Sequence, residues 1–310
     1  MARAPRGKSV KRAAPVRGKP AASPRKRDLS VLVLGDERKG SDAVALVERF
    51  RMFLEARVTR VRVVMQRDRS LREIGADLVV VLGGDGSLLA AARRMGTNQR
   101  PTLGVNFGRL GFLTACGLED AEPTLEMALR GELHEEPRLM IACHVQRKNG
   151  ELTPPVLGIN DGVLARGAGC GIVTLRAERA GTELATYGGD GLIVATPIGS
   201  TAYGLAAGGP VVAPGIDAYV LVPLAPHTLT VRPLVMPPCD LDLIVDEAMG
   251  DGICDFTVDG QVHTQVRVGD RVCLRQSPLR FRHLTRGRDS YFDVLREKFR
   301  WAHLPRAGSE

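Results

Sequence analysis

The chain has 310 residues, an ordinary apolar share of 44%, few aromatics at 4% and a net charge of +8. That length exceeds one small domain and suits two, with cores built mainly from Val, Leu, Ile and Ala. The charge does not describe a basic nucleic-acid-binding body: residues 1–27 carry ten Lys and Arg, four prolines and no acid, leaving 33 basic against 35 acidic residues elsewhere.

Residues 1–28 hold almost no large apolar side chains, so they cannot offset the entropy of ordering and are expected to form a disordered basic tail. Such a tail can meet nucleic acid, acidic lipid or a partner through charge alone, or simply solubilise the chain. It lacks the apolar core of a signal peptide, and its prolines argue against an amphipathic presequence. From 29 to 137 strand-like runs alternate with helical spacing. Strands are expected at 30–34, 58–65, 78–82 and 102–105, and helices over 42–56 and 88–95. This rhythm predicts an α/β, Rossmann-like domain with a parallel sheet.

From 138 to 279 the texture changes to short β-rich runs separated by Gly and Pro: 140–147, 156–164, 172–178, 182–187, 192–196, 240–245, 253–258 and 266–274. They predict an all-β, sandwich-like second domain. Residues 290–301 turn helical, and the segment 280–310 is expected to return onto the first domain. No run of 18 apolar residues occurs, so no helix is expected to cross a membrane. Six scattered cysteines without a C-x-x-C pair fit reduced thiols and a cytoplasmic setting better than zinc or disulfides.

Gly83-Gly-Asp-Gly86 follows the strand at 78–82, placing Asp85 at the carboxyl edge of the sheet, where ligands of open α/β sheets sit. Glycines let amides approach a phosphate. A carboxylate there repels phosphate unless it also addresses Mg²⁺ or a substrate hydroxyl, a combination that points to phosphoryl transfer to an alcohol. The plainer alternative is that Asp85 or Ser87 caps the helix. No Walker sequence exists, since the nearest imitation, residues 35–41, lacks the required lysine. Gly167-Ala-Gly-Cys-Gly171 has no helical pattern after it and reads as a flexible hairpin.

A second block runs from Gly188 to Pro210: a strand ends at Thr196, Pro197 breaks it, and Gly199-Ser-Thr opens a small-residue helix able to grip a polar ligand. A third loop is Ile159-Asn-Asp-Gly-Val163. His227 and Arg232 read as structural, and the remaining histidines give no metal spacing. Arg275, Arg280, Arg282, Arg286 and Arg288 read as a solvated or interface strip rather than phosphate ligands.

Together these blocks resemble the NAD kinases. Gly83 to Gly86, Gly104 to Leu113, Asn160-Asp161, Asp190 to Tyr203, Pro226 to Leu234 and Tyr291 to Trp301 look like that family's motifs in its order, over residues 30–302. The first loop is shared with diacylglycerol, sphingosine and 6-phosphofructokinase relatives, whereas the block from Asp190 to Pro210 is specific. The resemblance implies transfer of the terminal phosphate of ATP, with Mg²⁺, to the 2′-hydroxyl of the adenosine ribose of NAD, giving NADP. Polyphosphate is an alternative donor.

By the same resemblance Asp85 is the base and Gly84 and Gly86 lie beside the substrate. Asn160 and Asp161 hold it, while Gly188 and Asp190 meet the nicotinamide end. Thr201, Ala202, Tyr203, Gly204 and Ala206 line the adenine side, and Gln261 completes the pocket. Relatives form homodimers or homotetramers, so an oligomer is expected. The rivals are a lipid kinase of the same superfamily and a non-catalytic NAD(P)-binding regulator that uses the basic tail on nucleic acid.

Three departures stand out. Asp161 replaces a usual glutamate, Ile198 a usual hydroxyl residue, and Arg109 a small or neutral one. Gly188 and Gly189 stand where some relatives carry a bulky polar or cationic side chain, which implies activity on NADH as well as NAD.

Overall fold

The computed structural model describes residues 26–108, 111–287 and 290–299. Residues 1–25 of the expected tail, Arg109, Arg288 and Trp301 lie outside them. Regular structure begins earlier than the sequence texture indicated, because Arg27 already donates to Arg57 O and pairs with Val58.

Four parallel strands, β1 (Arg27–Leu34), β2 (Val58–Val64), β3 (Leu78–Leu82) and β4 (Thr102–Val105), run in the order β2-β1-β3-β4. Their alternation decides which helix covers which face. Leu32, Leu34, Val79 and Val81 pack with α2 (Asp85–Met95). Val31, Val33, Val80 and Leu82 pack with α1 (Ser41–Glu55) and α3 (Ala121–Arg130).

The second half is β-rich: β5 (His134–Gln146), β6 (Val156–Gly158), β7 (Asp161–Arg166), β8 (Cys170–Arg179), β9 (Thr182–Gly189), β10 (Gly191–Ala195), β11 (Tyr219–Leu224), β12 (Leu234–Met236), β13 (Leu241–Gly250), β14 (Ile253–Val258), β15 (Val262–Arg267) and β16 (Arg271–Thr285). An antiparallel sheet of order β12-β11-β10-β7-β14-β15 packs on the antiparallel part of a ten-stranded sheet through Leu164, Val194 and Leu221 on one side and Ile141, Leu175 and Leu243 on the other. The β-sandwich expected from the sequence is therefore present.

The larger sheet is continuous across both halves. Its order β2-β1-β3-β4-β16-β13-β8-β9 joins parallel β4 to β16 through Thr102 and His283, with β5 also on β16. Residues 137–138 and 279–280, where the sequence texture changes, fall inside β5 and β16.

Several local expectations are corrected. The run 156–164 splits at Ile159-Asn160 into strands of different sheets. The run 266–274 splits at Gly269, whose φ of +88° makes a turn few other residues tolerate. Gly167 to Gly171 is a tight turn, closed by Cys170 N to Gly167 O, that carries the chain from one sheet to the other. The small-residue helix shrinks to a 3-10 turn, Gly199–Thr201, and the single turn α4 (Tyr203–Ala206). Helix α5 (Ser290–Phe299) sets the rings of Tyr291 and Phe299 6.3 and 6.0 Å from that of Phe112. Among the described residues no helix is long and apolar enough to cross a membrane.

Candidate active site

Asp85 opens α2, but Gly84 is the N-cap and no side chain caps the helix. The capping alternative is thereby overturned. The Asp85 carboxylate instead reaches across to the loop after β4, where Oδ2 accepts from Phe112 N (2.8 Å) and Oδ1 from Leu113 N (3.0 Å). A Cβ on Gly111 would overlap that carboxylate and push it from this position. Asp85 is half-buried, and each oxygen keeps a lone pair for a further partner.

Next to it lies a cavity of about 260 Å³ lined by Gly84, Gly86, Ser87, Asp36, Lys39, Arg67 and Arg94. Three cations against one carboxylate, beside the positive end of a helix, suit a polyanion. Lys39 Nζ lies 3.5 Å from Ser87 Oγ and 5.0 Å from the Phe107 ring. The sequence reading missed all three cations. The available signal was topological, since Lys39 and Arg67 follow the carboxyl ends of β1 and β2, the ligand edge of a parallel sheet.

Gln261 reaches from the turn between β14 and β15 to the start of α2. Its Nε2 donates to Gly86 O (2.9 Å), and its Oε1 accepts from Arg93 Nη2 (2.6 Å). Arg93 Nη1 also lies 3.8 Å from Asp259 Oδ2. Asp259, at φ +52°, accepts from Ile159 N (3.1 Å), Asn160 N (2.8 Å) and Asp161 N (3.3 Å). These bonds shape the loop between β6 and β7. Sequence reading passed over both Arg93 and Asp259.

Asn160 presents a buried Oδ1 that no described residue satisfies. Asp161 is 4% exposed, and burial, with Asp259 adding like charge, pushes its carboxyl up to about 7. Burial also raises Asp259, against its backbone hydrogen bonds. The turn at Gly199 rests on the Asn160 backbone, where a Cβ would overlap Asn160 O. Thr196 N donates to that same oxygen (2.8 Å).

The remaining expected residues gather elsewhere. Asp190, Tyr203 and Ala206 line a shallower cavity of about 470 Å³ with Arg166, whose Nε donates to Asp190 Oδ1 (2.7 Å). Gly188 accepts from His227 N (2.9 Å), and a side chain at Gly188 would meet open space. A side chain at Gly189 would strike Leu224 O at 2.7 Å. Thr201 Oγ1 donates to Ile198 O (2.9 Å), Ala202 ends the 3-10 turn and Gly204 is the buried residue of α4.

The arginines near the C-terminus are paired with carboxylates: Arg275 with Asp242, Arg280 with Asp217, Arg282 with Glu135 and Arg286 with Asp120. Among the described residues no cluster of three His, Cys, Asp or Glu is placed to hold a metal.

Residues 38–133 match the family model "ATP-NAD kinase N-terminal domain" and residues 159–285 the "ATP-NAD kinase C-terminal domain". The NAD kinase of Geobacter sulfurreducens is 41% identical over 226 residues, covering 73% of this chain and 79% of that protein. The NAD kinase of a Polaromonas species is 43% identical over 230 residues, covering 74% and 78%. Among solved structures, an NAD kinase from Archaeoglobus fulgidus in complex with ATP superposes with a TM-score of 0.70 at 26% identity, covering 87% of this chain and 98% of that one. Yeast NADH kinase complexed with NADH gives 0.80 at 24% identity and 91% coverage of each chain, a likeness of fold. With models of both domains matched and relatives above 40% identity, this chain belongs to the NAD kinase family.

Proposed function

We propose that this chain transfers the terminal phosphoryl group of ATP to the 2′-hydroxyl of the adenosine ribose of NAD, yielding NADP and ADP. The observation that carries this reading is the Asp85 carboxylate, fixed by two loop amides and flanked in the chain by Gly84 and Gly86, which line a cavity together with Lys39, Arg67 and Arg94. The cations and the amides at the start of α2 receive the triphosphate. Mg²⁺ accompanies ATP as its counterion; the single carboxylate in the cavity, Asp36, fits an ion held mainly by phosphate oxygens.

NAD lies against the β-rich half. Asn160 Oδ1 accepts a donor of the adenosine, Asp161 meets a ribose hydroxyl, Tyr203 and Ala206 line the adenine side, and Asp190 meets the nicotinamide end. As the oxygen–phosphorus bond to ribose forms and the bond to ADP breaks, Asp85 takes the hydroxyl proton. In a loose transition state that proton leaves late, so positioning carries most of the rate.

We assign the enzyme to the cytoplasm, in keeping with six free cysteines. We also assign it a homo-oligomeric state, dimer or tetramer, in keeping with the exposed Leu234 and Val235 of edge strand β12. The decisive assay mixes pure protein, NAD and Mg²⁺ with ATP or polyphosphate and measures NADP. No NADP with either donor refutes the reading. Unchanged synthesis after removal of residues 1–25 excludes a regulator that depends on its tail, and the family assignment leaves the lipid-kinase rival without support.

A further inference from the structure

We infer that His283, on β16, is a positioning residue for Asp85, acting through the backbone of Leu113. His283 is 2% exposed, and its Nε2 donates to Leu113 O (2.7 Å). A carbonyl oxygen only accepts, so Nε2 carries the proton and the ring is in the Nε2–H form. The amide of the same Leu113 donates to Asp85 Oδ1 (3.0 Å), and its neighbour, Phe112 N, donates to Oδ2 (2.8 Å). Two hydrogen bonds thus run in series from a core strand, through Leu113, to the proposed base, and the bond from Phe112 N lies beside them.

The ring has little freedom of its own. Phe281 stacks on it at 5.9 Å between centroids, and its backbone pairs with Thr102 where β16 meets β4. Burial and the charge of Arg138 hold the imidazole down at about 4, so it stays neutral at working pH and its donor is fixed. On the other side of the loop, the Phe112 ring faces Tyr291 and Phe299 of α5, with Lys298 Nζ 5.3 Å from it. The loop is therefore gripped from the core by one histidine and from outside by one helix, and its amides set the Asp85 oxygens.

This inference rests on the proposed reaction. A histidine that merely filled the core would affect stability and leave turnover per folded molecule untouched. A positioning histidine affects turnover, because misplacing a base by about an ångström costs up to ~10² in rate. Replacement with Leu removes the donor, whereas Gln presents an amide N–H at comparable reach.

The test measures kcat and KM for NAD with the full-length wild type, His283→Leu, His283→Gln and Asp85→Asn proteins, and with the Asp85→Asn/His283→Leu double variant, all normalised to folded protein. The expected result is a kcat lowered ~10- to 100-fold in His283→Leu with KM for NAD within about threefold, and recovery of most of that loss in His283→Gln. Adding His283→Leu to Asp85→Asn is expected to cost no further turnover, since both act on one group. A wild-type-like kcat in His283→Leu overturns the inference, as does an equal fold-loss in the Asp85→Asn background. A wild type that makes no NADP refutes the reaction itself and is read separately.

Discussion

Asp85 and Asp259 use the same device in two different places. Each is an aspartate whose carboxylate accepts backbone N–H groups from a loop distant in sequence. Asp85 is half-buried next to residues that line a cationic cavity, whereas Asp259 has a side chain with no exposed surface and its charge beside Arg93. The amides organise a loop in both cases, but only the first carboxylate keeps part of its surface exposed. Surroundings, not the hydrogen bonds, divide a chemical carboxylate from a structural one.

The largest expected effect falls on the chemical member. Asp85→Asn should lower turnover by ~10² to 10⁴ with NAD still bound, checked by steady-state rates beside NAD titration. Turnover like that of the wild type would erase the distinction. Asp259→Ala should do the reverse and cost about 3–5 kcal/mol of stability, because it leaves the amides of Ile159, Asn160 and Asp161 without their acceptor and Arg93 without its nearby carboxylate. Urea unfolding measures this, and the loop bearing Asn160 should loosen, raising KM for NAD. A variant as stable as the wild type would show that Asp259 holds nothing.

Gly188→Arg extends the test to the far groove. The open space at that position admits the side chain, and it should reduce use of NADH relative to NAD by about tenfold, some 1.4 kcal/mol. Comparing kcat/KM for the two substrates decides it. Equal use before and after the substitution, or no NADH use by the wild type, would remove Gly188 from specificity.

A last effect, read as a pH dependence, concerns Asp161, whose folded carboxyl is raised from 3.8 to about 7. The native state then keeps a proton that the unfolded chain has already released. This contribution to stability is complete below pH 3.8 and is lost as the pH rises through about 7. Relative to Asp161→Asn, the wild type should therefore lose Tm between about pH 4 and pH 7. Parallel curves would mean that Asp161 is ionised throughout.

The alternating strands and helices up to residue 105 were legible because period 2 and period 3.6 are local properties of the chain. Helix α3 was not. It carries Pro123 in its first turn and only Leu125 and Leu129 as large buried residues. Strand β11, a short apolar run interrupted by Pro223, gave no period at all. Around the candidate site, Asp85 was visible through its glycine-rich neighbours, whereas Asn160 and Gln261 came from the family resemblance. Arg93 meets Gln261 across 168 positions and His283 meets Leu113 across 170. No window of sequence holds such pairs, and only the closed sheet brings them together.

That sheet also limits how the protein can be divided. If either half were expressed alone, β4 or β16 would lose its neighbour at the junction and offer bare amides and carbonyls to any passing strand, an invitation to aggregate. Donor and acceptor nucleotides are assigned to separate territories, yet the polypeptide beneath them is woven from one cloth. Chimeras between relatives should therefore exchange loops at the rim and leave the shared strand whole.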